Sequence, residues 1–286
     1  MRTLPTAADR LPPQIWFCIS AIFHYLGPSF AVLLFPVVGV LGIAWLRIAS
    51  AALVFAILQN PVRTFRTSNP LARLYMIGLG LCLAIMNVSF YLALDRLPIS
   101  LVAAIEFIGT IALALFGLRS RRNLLALCVA AAGIVLLIDV TWSSDPVGLF
   151  WAFLNGGLFV CYIALGHRIS RMEGAGGVQR LGAAMAIAFL FVFPFGLMEA
   201  VRVFGTPWLL GAAIGVGICS SVIPYVCDQF AMARLPRASY AMLLSLLPAI
   251  ATLMGIAVLA QVPSLRDCGG IVLVMVGVAL HEPADP

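Results

Sequence analysis

Two ionisable residues lie in the middle of long apolar stretches, where charged side chains are rare. Arg47 is central in the stretch 39–58, and Glu106 stands early in the stretch 99–118. A charge at a bilayer centre costs at least about 2.5–3.5 kcal/mol, so such residues usually have a function or a partner. A guanidinium can hold a carboxylate through two hydrogen bonds, and a carboxylate can bind an ammonium group or carry a proton. Alternatively, Arg47 and Glu106 pair with each other, and the sequence leaves both interpretations open.

Further polar residues interrupt the apolar stretches. His24 could relay protons, or it could be a neutral residue hydrogen-bonded between helices. Asn87 and Tyr91 are four residues apart and share one helical face, which favours a cavity lining. Ser89 points to another side and is expected to pack against a neighbouring helix. Packing between helices is the alternative for all of them.

Asp228 lies near the end of the stretch 208–232, six residues before Arg234. Its position favours an interfacial residue or a partner of that arginine. The alternative is that Asp228 lines a substrate pathway.

Four prolines fall inside apolar stretches: Pro28, Pro194, Pro224 and Pro248. Proline has no N–H to donate, so it frees a backbone carbonyl and permits a helix to bend. We expect Pro28, Pro224 and Pro248 to act as hinges. The alternative is structural, because membrane helices tolerate proline in general.

The composition is that of a membrane protein. Of 286 residues, 63% are hydrophobic and 10% are charged, and the mean hydropathy is +1.10. These values exclude a soluble enzyme, a nucleic-acid-binding protein and a disordered chain. Seven cysteines are scattered without C-x-x-C spacing. We therefore expect no metal site, no cofactor, no catalytic residues and no disulfide framework.

Ten apolar stretches approach or exceed the length of about 20 residues that crosses a bilayer. They cover residues 14–34, 39–58, 74–94, 99–118, 124–139, 147–166, 181–200, 208–232, 238–258 and 268–281. The longest loops, Gln59–Arg73 and His167–Arg180, are too short for a soluble domain. The predicted fold class is an all-α integral membrane protein with ten transmembrane helices, and any binding site must lie among them.

The distribution of arginine predicts the orientation. All 17 basic residues are arginines; with the N-terminus inside, 13 fall on the inner side, 3 fall on the outer side and Arg47 lies within a stretch. Positive charge is retained in the cytoplasm, so both termini are expected there. No A-x-A cleavage site follows the first stretch, which is therefore interpreted as an uncleaved helix.

An internal repeat divides the chain. Leu97-Pro98 and Leu235-Pro236, each after an arginine, are 138 residues apart and precede the fourth and ninth stretches. The sequence therefore predicts two five-helix halves, residues 1–140 and 141–286. Because five is odd, the second half enters the bilayer inverted, which is typical of secondary transporters.

The motifs resemble a known family. The runs are Met86–Tyr91, Leu97–Gly109, Ser220–Tyr225 and Ala233–Pro236. They are similar to the third, fourth and eighth helices and the following loop of EamA-type transporters of the drug/metabolite transporter superfamily. Among these, the bacterial inner-membrane threonine/homoserine exporters are the most similar branch.

The chain departs from the family pattern at two places. Thr110 stands where the family usually has proline, and Leu247-Pro248-Ala249 stands where it has E-P-A. The missing acid puts in doubt any scheme that needs a carboxylate in each half.

The resemblance implies a secondary transporter in the bacterial inner membrane that exports amino acids or related small metabolites by alternating access. Its partners would be the small-molecule substrate, the lipid bilayer and protons, with no nucleic acid, in a monomer or weak homodimer. A multidrug or metabolite efflux or uptake carrier of the same fold is the main alternative. A polytopic membrane enzyme is the second alternative function. The predicted substrate-binding residues are Glu106, Arg47, Asn87, Tyr91, His24, Tyr225 and Asp228.

Overall fold

In the computed structural model of the protein, the described residues are 11–106, 120–141, 145–172, 176–235, 240, 243 and 246–280. These residues are predominantly helical and contain no β-strand. The helices are α1 (Pro13–Val38), α2 (Val40–Leu58), α3 (Pro61–Thr67), α4 (Pro70–Leu94), α5 (described over 99–106), α6 (Arg121–Thr141), α7 (Pro146–Arg171), α8 (Gly177–Ala200), α9 (Pro207–Arg234), α10 (Leu247–Leu259) and α11 (Leu265–Leu280).

Six of these helices are long and apolar enough to cross a membrane: α1, α2, α4, α7, α8 with the turn that follows it, and α9. Each coincides with a predicted stretch. The helices α6 and α11 occupy the stretches predicted at 124–139 and 268–281. The stretches 99–118 and 238–258 fall partly outside the described residues, as does Thr110.

The helix α3 lies in the segment Gln59–Arg73, which the sequence predicts to be a loop. Its start is fixed locally, because the Asn60 side chain accepts a hydrogen bond from the N–H of Arg63 over 2.9 Å and Pro61 takes the first helical position. Proline suits that position, since its missing N–H would be unpaired there anyway. Asn69 caps α4 in the same way through the N–H of Ala72. The lengths of the apolar stretches do not reveal so short and polar a helix.

Close approaches at small residues hold the helices together. A methyl group on Gly80 of α4 would lie 2.7 Å from the carbonyl oxygen of Ala184 on α8. One on Gly133 of α6 would lie 2.6 Å from the carbonyl oxygen of Gly270 on α11. Lipid tails are as apolar as leucine, so membrane helices associate through such close packing. Outward faces carry large apolar side chains, including Leu190 and Phe195.

The connection between α1 and α2 is a single residue. Gly39 adopts φ +93°, a conformation that favours glycine. The carboxylate of Glu199, at the end of α8, accepts a hydrogen bond from the N–H of Gly42 over 2.8 Å. One end of α8 therefore anchors the start of α2, the helix that contains Arg47.

Candidate functional site

Arg47 is fully enclosed between α2 and α9. Its side chain is 2% exposed, and Nε donates to the Ser221 hydroxyl over 2.8 Å. Nη2 donates to the Ser220 carbonyl over 2.6 Å and approaches the Tyr225 hydroxyl at 3.5 Å. The apolar helix α2 therefore contains a charge that residues of α9 solvate.

The sequence of α9 explains why an acceptor is available there. In a regular helix, the N–H of residue 224 would bond to the carbonyl of Ser220, but Pro224 has no N–H. A π-helical turn over Ile218–Val222 precedes this proline. Such turns are rare and often occur at functional sites. The Arg47 guanidinium supplies the donor that Pro224 cannot.

The helix α4 closes the arginine from the other side. The guanidinium carbon of Arg47 lies 5.1 Å from the centre of the Tyr91 ring, a cation–π distance. Asn87 donates to the Leu83 carbonyl over 2.6 Å and accepts from the Tyr225 hydroxyl over 3.2 Å. The shared face of Asn87 and Tyr91 thus points toward α2 and α9. Ser89 is buried and donates to the carbonyl of Met86.

Two buried polar atoms at this place have no hydrogen-bond partner among the described residues. They are Nη1 of Arg47 and the hydroxyl of Tyr91. An unpaired buried donor costs about 1–3 kcal/mol, more when it is charged. Arg47 Nη1 and the Tyr91 hydroxyl can therefore each donate a hydrogen bond to a ligand.

Glu106 is held by neutral donors. Its carboxylate is 2% exposed and accepts hydrogen bonds from the Tyr25 hydroxyl over 3.0 Å and from Asn155 Nδ2 over 2.7 Å. Within the described ranges, the one salt bridge joins other residues, so Glu106 and Arg47 form no direct ion pair. Within the described residues, neither charge is in direct contact with a group of opposite charge.

Asp228, on α9, is buried against α1 and α7. It is 5% exposed and accepts hydrogen bonds from three hydroxyls, those of Ser20 at 2.5 Å, Tyr162 at 2.8 Å and Tyr240 at 3.5 Å. Arg234 donates to backbone carbonyls, including that of Leu11. Six residues of helix span about 9 Å, enough to take Asp228 away from the helix end.

His24 lies on α1 between Ser20, which bonds to Asp228, and Tyr25, which bonds to Glu106. Its ring is within 5.4–6.3 Å of the rings of Tyr25, Phe159 and Tyr225, measured between centroids. A cavity of about 10 Å³ lies beside His24 and Asp228, room for about one water molecule.

The predicted hinge prolines have different surroundings. Pro28 lies within the uninterrupted helix α1, and Pro248 is the second residue of α10. Pro224 alone adjoins the π-helical turn. No three His, Cys, Asp or Glu side chains come together as a metal site in the described part of the chain.

The residues that bond to the two acids were not singled out from the sequence. Tyr25 and Asn155 serve Glu106, while Ser20, Tyr162 and Tyr240 serve Asp228. Isolated hydroxyl and amide groups in apolar stretches look like packing residues. Only their repeated occurrence within α1 and α7 could have drawn attention to them.

Comparison with known proteins adds a family relationship. Residues 146–281 match the EamA-like transporter family. The threonine/homoserine exporters RhtA of Salmonella typhimurium and Escherichia coli are 30% identical over 266 residues, which cover 90% of this chain and 88% of theirs. A solved crystal structure shares the fold with a TM-score of 0.66 at 15% identity, covering 93% of this chain and 96% of its own.

Proposed function

Because the chain belongs to the EamA-like transporter family, as its 30% identity to the RhtA exporters shows, we propose that it exports amino acids or related small metabolites. The name of those relatives supports the direction and the substrate class. Family membership makes the chain a transporter and not an enzyme. The observation that carries the proposal is the buried guanidinium of Arg47, which keeps one nitrogen without a hydrogen-bond partner among the described residues.

An amino acid carries a carboxylate and an ammonium group, and neither enters an apolar interior without a partner. We assign the carboxylate to Nη1 of Arg47 and the hydroxyl of Tyr91, the two atoms left unsatisfied. The ammonium group is assigned to Glu106, whose hydrogen bonds come from the uncharged Tyr25 and Asn155. Asn87 holds the Tyr225 hydroxyl, which lies beside Arg47, and neutral polar contacts would then select the side chain of the substrate.

Transport by this site requires the helices to move. Arg47, Tyr91 and Glu106 are each at most 2% exposed, so a substrate molecule has no open route to them in this conformation. The arginine is enclosed on all sides by α2, α4 and α9. Opening first to one side and then to the other, which is alternating access, would admit and release the substrate. Pro224 and the neighbouring π-helical turn are suitable hinge positions.

We propose that residues 1–140 and 141–286 form inverted five-helix repeats. The packing supports this, because α4 packs on α7 and α8 while α9 packs on α1 and α2. Exchanging the two halves converts the pair α4–α7 into α9–α1 and the pair α4–α8 into α9–α2. The pairs α2–α8 and α6–α11 are their own counterparts and are also in contact.

We further propose ten spans in the bacterial inner membrane with both termini cytoplasmic. Contacts between helix ends support this topology. Arg96 and Asp145, both expected outside, form a salt bridge of 2.6 Å. Arg122 and Leu280, both expected inside, are joined by a hydrogen bond of 2.9 Å from Nε to the carbonyl. A reporter fused after Pro286 tests the topology, and a periplasmic signal would contradict it.

Counterflow in proteoliposomes tests the function. Vesicles loaded with unlabelled substrate would be given labelled threonine, homoserine, other amino acids and a lipophilic cation. Exchange of amino acids that disappears in Arg47→Gln, with normal protein level, supports the proposal. The variant Arg63→Gln, at an exposed position of α3, is the matched control and should exchange normally. Exchange of the lipophilic cation alone would favour the multidrug carrier instead.

A further inference from the structure

A second buried carboxyl group lies apart from the arrangement around Arg47. Asp228 receives hydrogen bonds from Ser20 on α1, Tyr162 on α7 and Tyr240. Its hydrogen bonds in the described part of the chain thus come from neutral hydroxyls and from no cation. A carboxylate enclosed in this way is expensive in a membrane, and such residues commonly mark proton paths.

The geometry at Ser20 accommodates a proton on this carboxyl group. The Ser20 hydroxyl has one hydrogen but lies 2.5 Å from Oδ1 of Asp228 and 3.1 Å from the carbonyl of Pro224. When Asp228 is protonated, its carboxyl group can donate to Ser20 and Ser20 can donate to Pro224, so that each contact has a hydrogen of its own. Without that proton, Ser20 turns its hydrogen to the carboxylate and the contact with Pro224 is lost. The site can therefore hold either form with a local rearrangement.

Several titratable groups face or adjoin Asp228. His24 on α1 borders the same water-sized cavity, and Tyr162 on α7 and Tyr240 bond to the carboxylate directly. His167 on α7 lies against the Tyr240 ring, 5.7 Å between centroids. On α9 itself, Cys227 precedes Asp228 and Arg234 follows it.

The same two helices supply donors to both acids. On α1, Ser20 serves Asp228 and Tyr25 serves Glu106; on α7, Tyr162 serves Asp228 and Asn155 serves Glu106. A shift of α1 and α7 against α5, which carries Glu106, and α9, which carries Asp228, would therefore disturb both carboxylates together. This is the physical link that coupling between two sites requires.

We propose that Asp228, which the sequence predicts as a substrate-binding residue, is instead the coupling-proton site of the exporter, separate from the substrate-binding Glu106. In each cycle, an O–H bond forms on Asp228 when a proton arrives from one side. That bond breaks when the proton leaves to water on the other side, as one substrate molecule moves in the opposite direction. The inference rests on the proposed export of amino acids, and its experiment separates the two.

The experiment compares two transport modes of Asp228→Asn in proteoliposomes. Counterflow at equal pH needs no net proton movement and should persist, whereas substrate accumulation driven by a pH gradient should be lost. Asp267→Asn, at the exposed start of α11, is the matched control and should keep both modes. Absence of counterflow in the wild-type protein would instead count against the proposed function.

Three results would overturn the proton site. They are gradient-driven accumulation by Asp228→Asn, loss of counterflow in a folded Asp228→Asn protein, and wild-type accumulation driven by a sodium gradient alone. A measurement on the wild-type protein covers the case in which the variant does not fold. A pH dye trapped in the vesicles should report proton movement when substrate is added, and a silent dye would also refute the proposal.

Discussion

The hydroxyl of Tyr225 donates a hydrogen bond to Oδ1 of Asn87 over 3.2 Å, and the two residues are 138 positions apart. The same offset relates the two Leu-Pro motifs of the repeat. Residues that are equivalent in two halves can touch only near the axis that relates the halves. Tyr91 and Gln229 have the same separation, and each has buried polar atoms without a partner among the described residues. The pair Asn87–Tyr225 therefore lies where the proposed repeats meet.

Removing the Tyr225 hydroxyl should destabilise this meeting point. In Tyr225→Phe, the buried Asn87 carbonyl loses its donor, which costs about 1–3 kcal/mol. Thermal unfolding in detergent should show a lower midpoint than the wild type, together with slower counterflow. Tyr75→Phe, which changes a half-buried tyrosine on the same helix as Asn87, should leave both unchanged. An unaltered midpoint in Tyr225→Phe would show that the hydrogen bond between Tyr225 and Asn87 does not stabilise the fold.

Replacing Arg47 by lysine should impair transport although the charge is kept. Lysine has no planar fork, so it cannot bond Ser221 and the Ser220 carbonyl while still presenting a free N–H. A hydrogen bond to a charged group contributes about 1.5–3 kcal/mol, so KM for threonine should rise roughly ten- to hundredfold. Steady-state uptake measures this. A normal KM in Arg47→Lys would mean that a point charge suffices.

Neutralising Glu106 tests the other end of the substrate. In Glu106→Gln, the side chain keeps its shape and its contacts with Tyr25 and Asn155 but offers no charge to an ammonium group. Counterflow of amino acids should be abolished while folded protein remains in the membrane. Full transport at normal protein level would leave substrate selection to neutral groups such as Asn87.

The variant Gly27→Ala should disrupt the contact between α1 and the π-helical turn. A Cβ there would lie 2.6–2.7 Å from the Cβ, Cα and backbone nitrogen of Ser220. Overpacking of this kind typically costs about 1–3 kcal/mol, and it displaces the carbonyl that holds Arg47. Gly211→Ala is the control, because nothing lies within 4 Å of its added methyl and alanine favours helix. Equal stability of the two variants would argue against a rigid contact.

The pair Arg96–Asp145 should make a pH-dependent contribution to stability. The hydrogen bond from Arg96, followed by that from the Gly148 N–H, holds the pKa of Asp145 below its ordinary 3.8. A lowered pKa in the folded state stabilises the protein above about pH 4, and this stabilisation is lost as the pH falls through the folded-state pKa. Asp145→Asn keeps the cap on α7 and loses the charge. Its melting temperature should be slightly below that of the wild type at pH 7 and equal to it under acid conditions.

Arg47 and Glu106 could be found from the sequence because a charge inside an apolar stretch is conspicuous. Their partners could not, since those depend on which helices pack together. The freed carbonyl near Pro224 was predictable from proline chemistry, but its pairing with Arg47 on α2 was not. The hydroxyl partners of Asp228 were not predictable for the same reason, because Ser20, Tyr162 and Tyr240 come from other parts of the chain.

The hydrogen bonds of Arg47 within the described residues reach groups 173 to 178 positions later in the chain. At about 5–20 residues per second, synthesis places roughly 9–35 s between α2 and the part of α9 that solvates its guanidinium. During that interval the guanidinium of Arg47 lacks the hydrogen-bond acceptors that α9 later supplies. A polypeptide released before α9 is complete keeps that defect permanently. Arg47 thereby makes the integrity of one half of the chain depend on the arrival of the other.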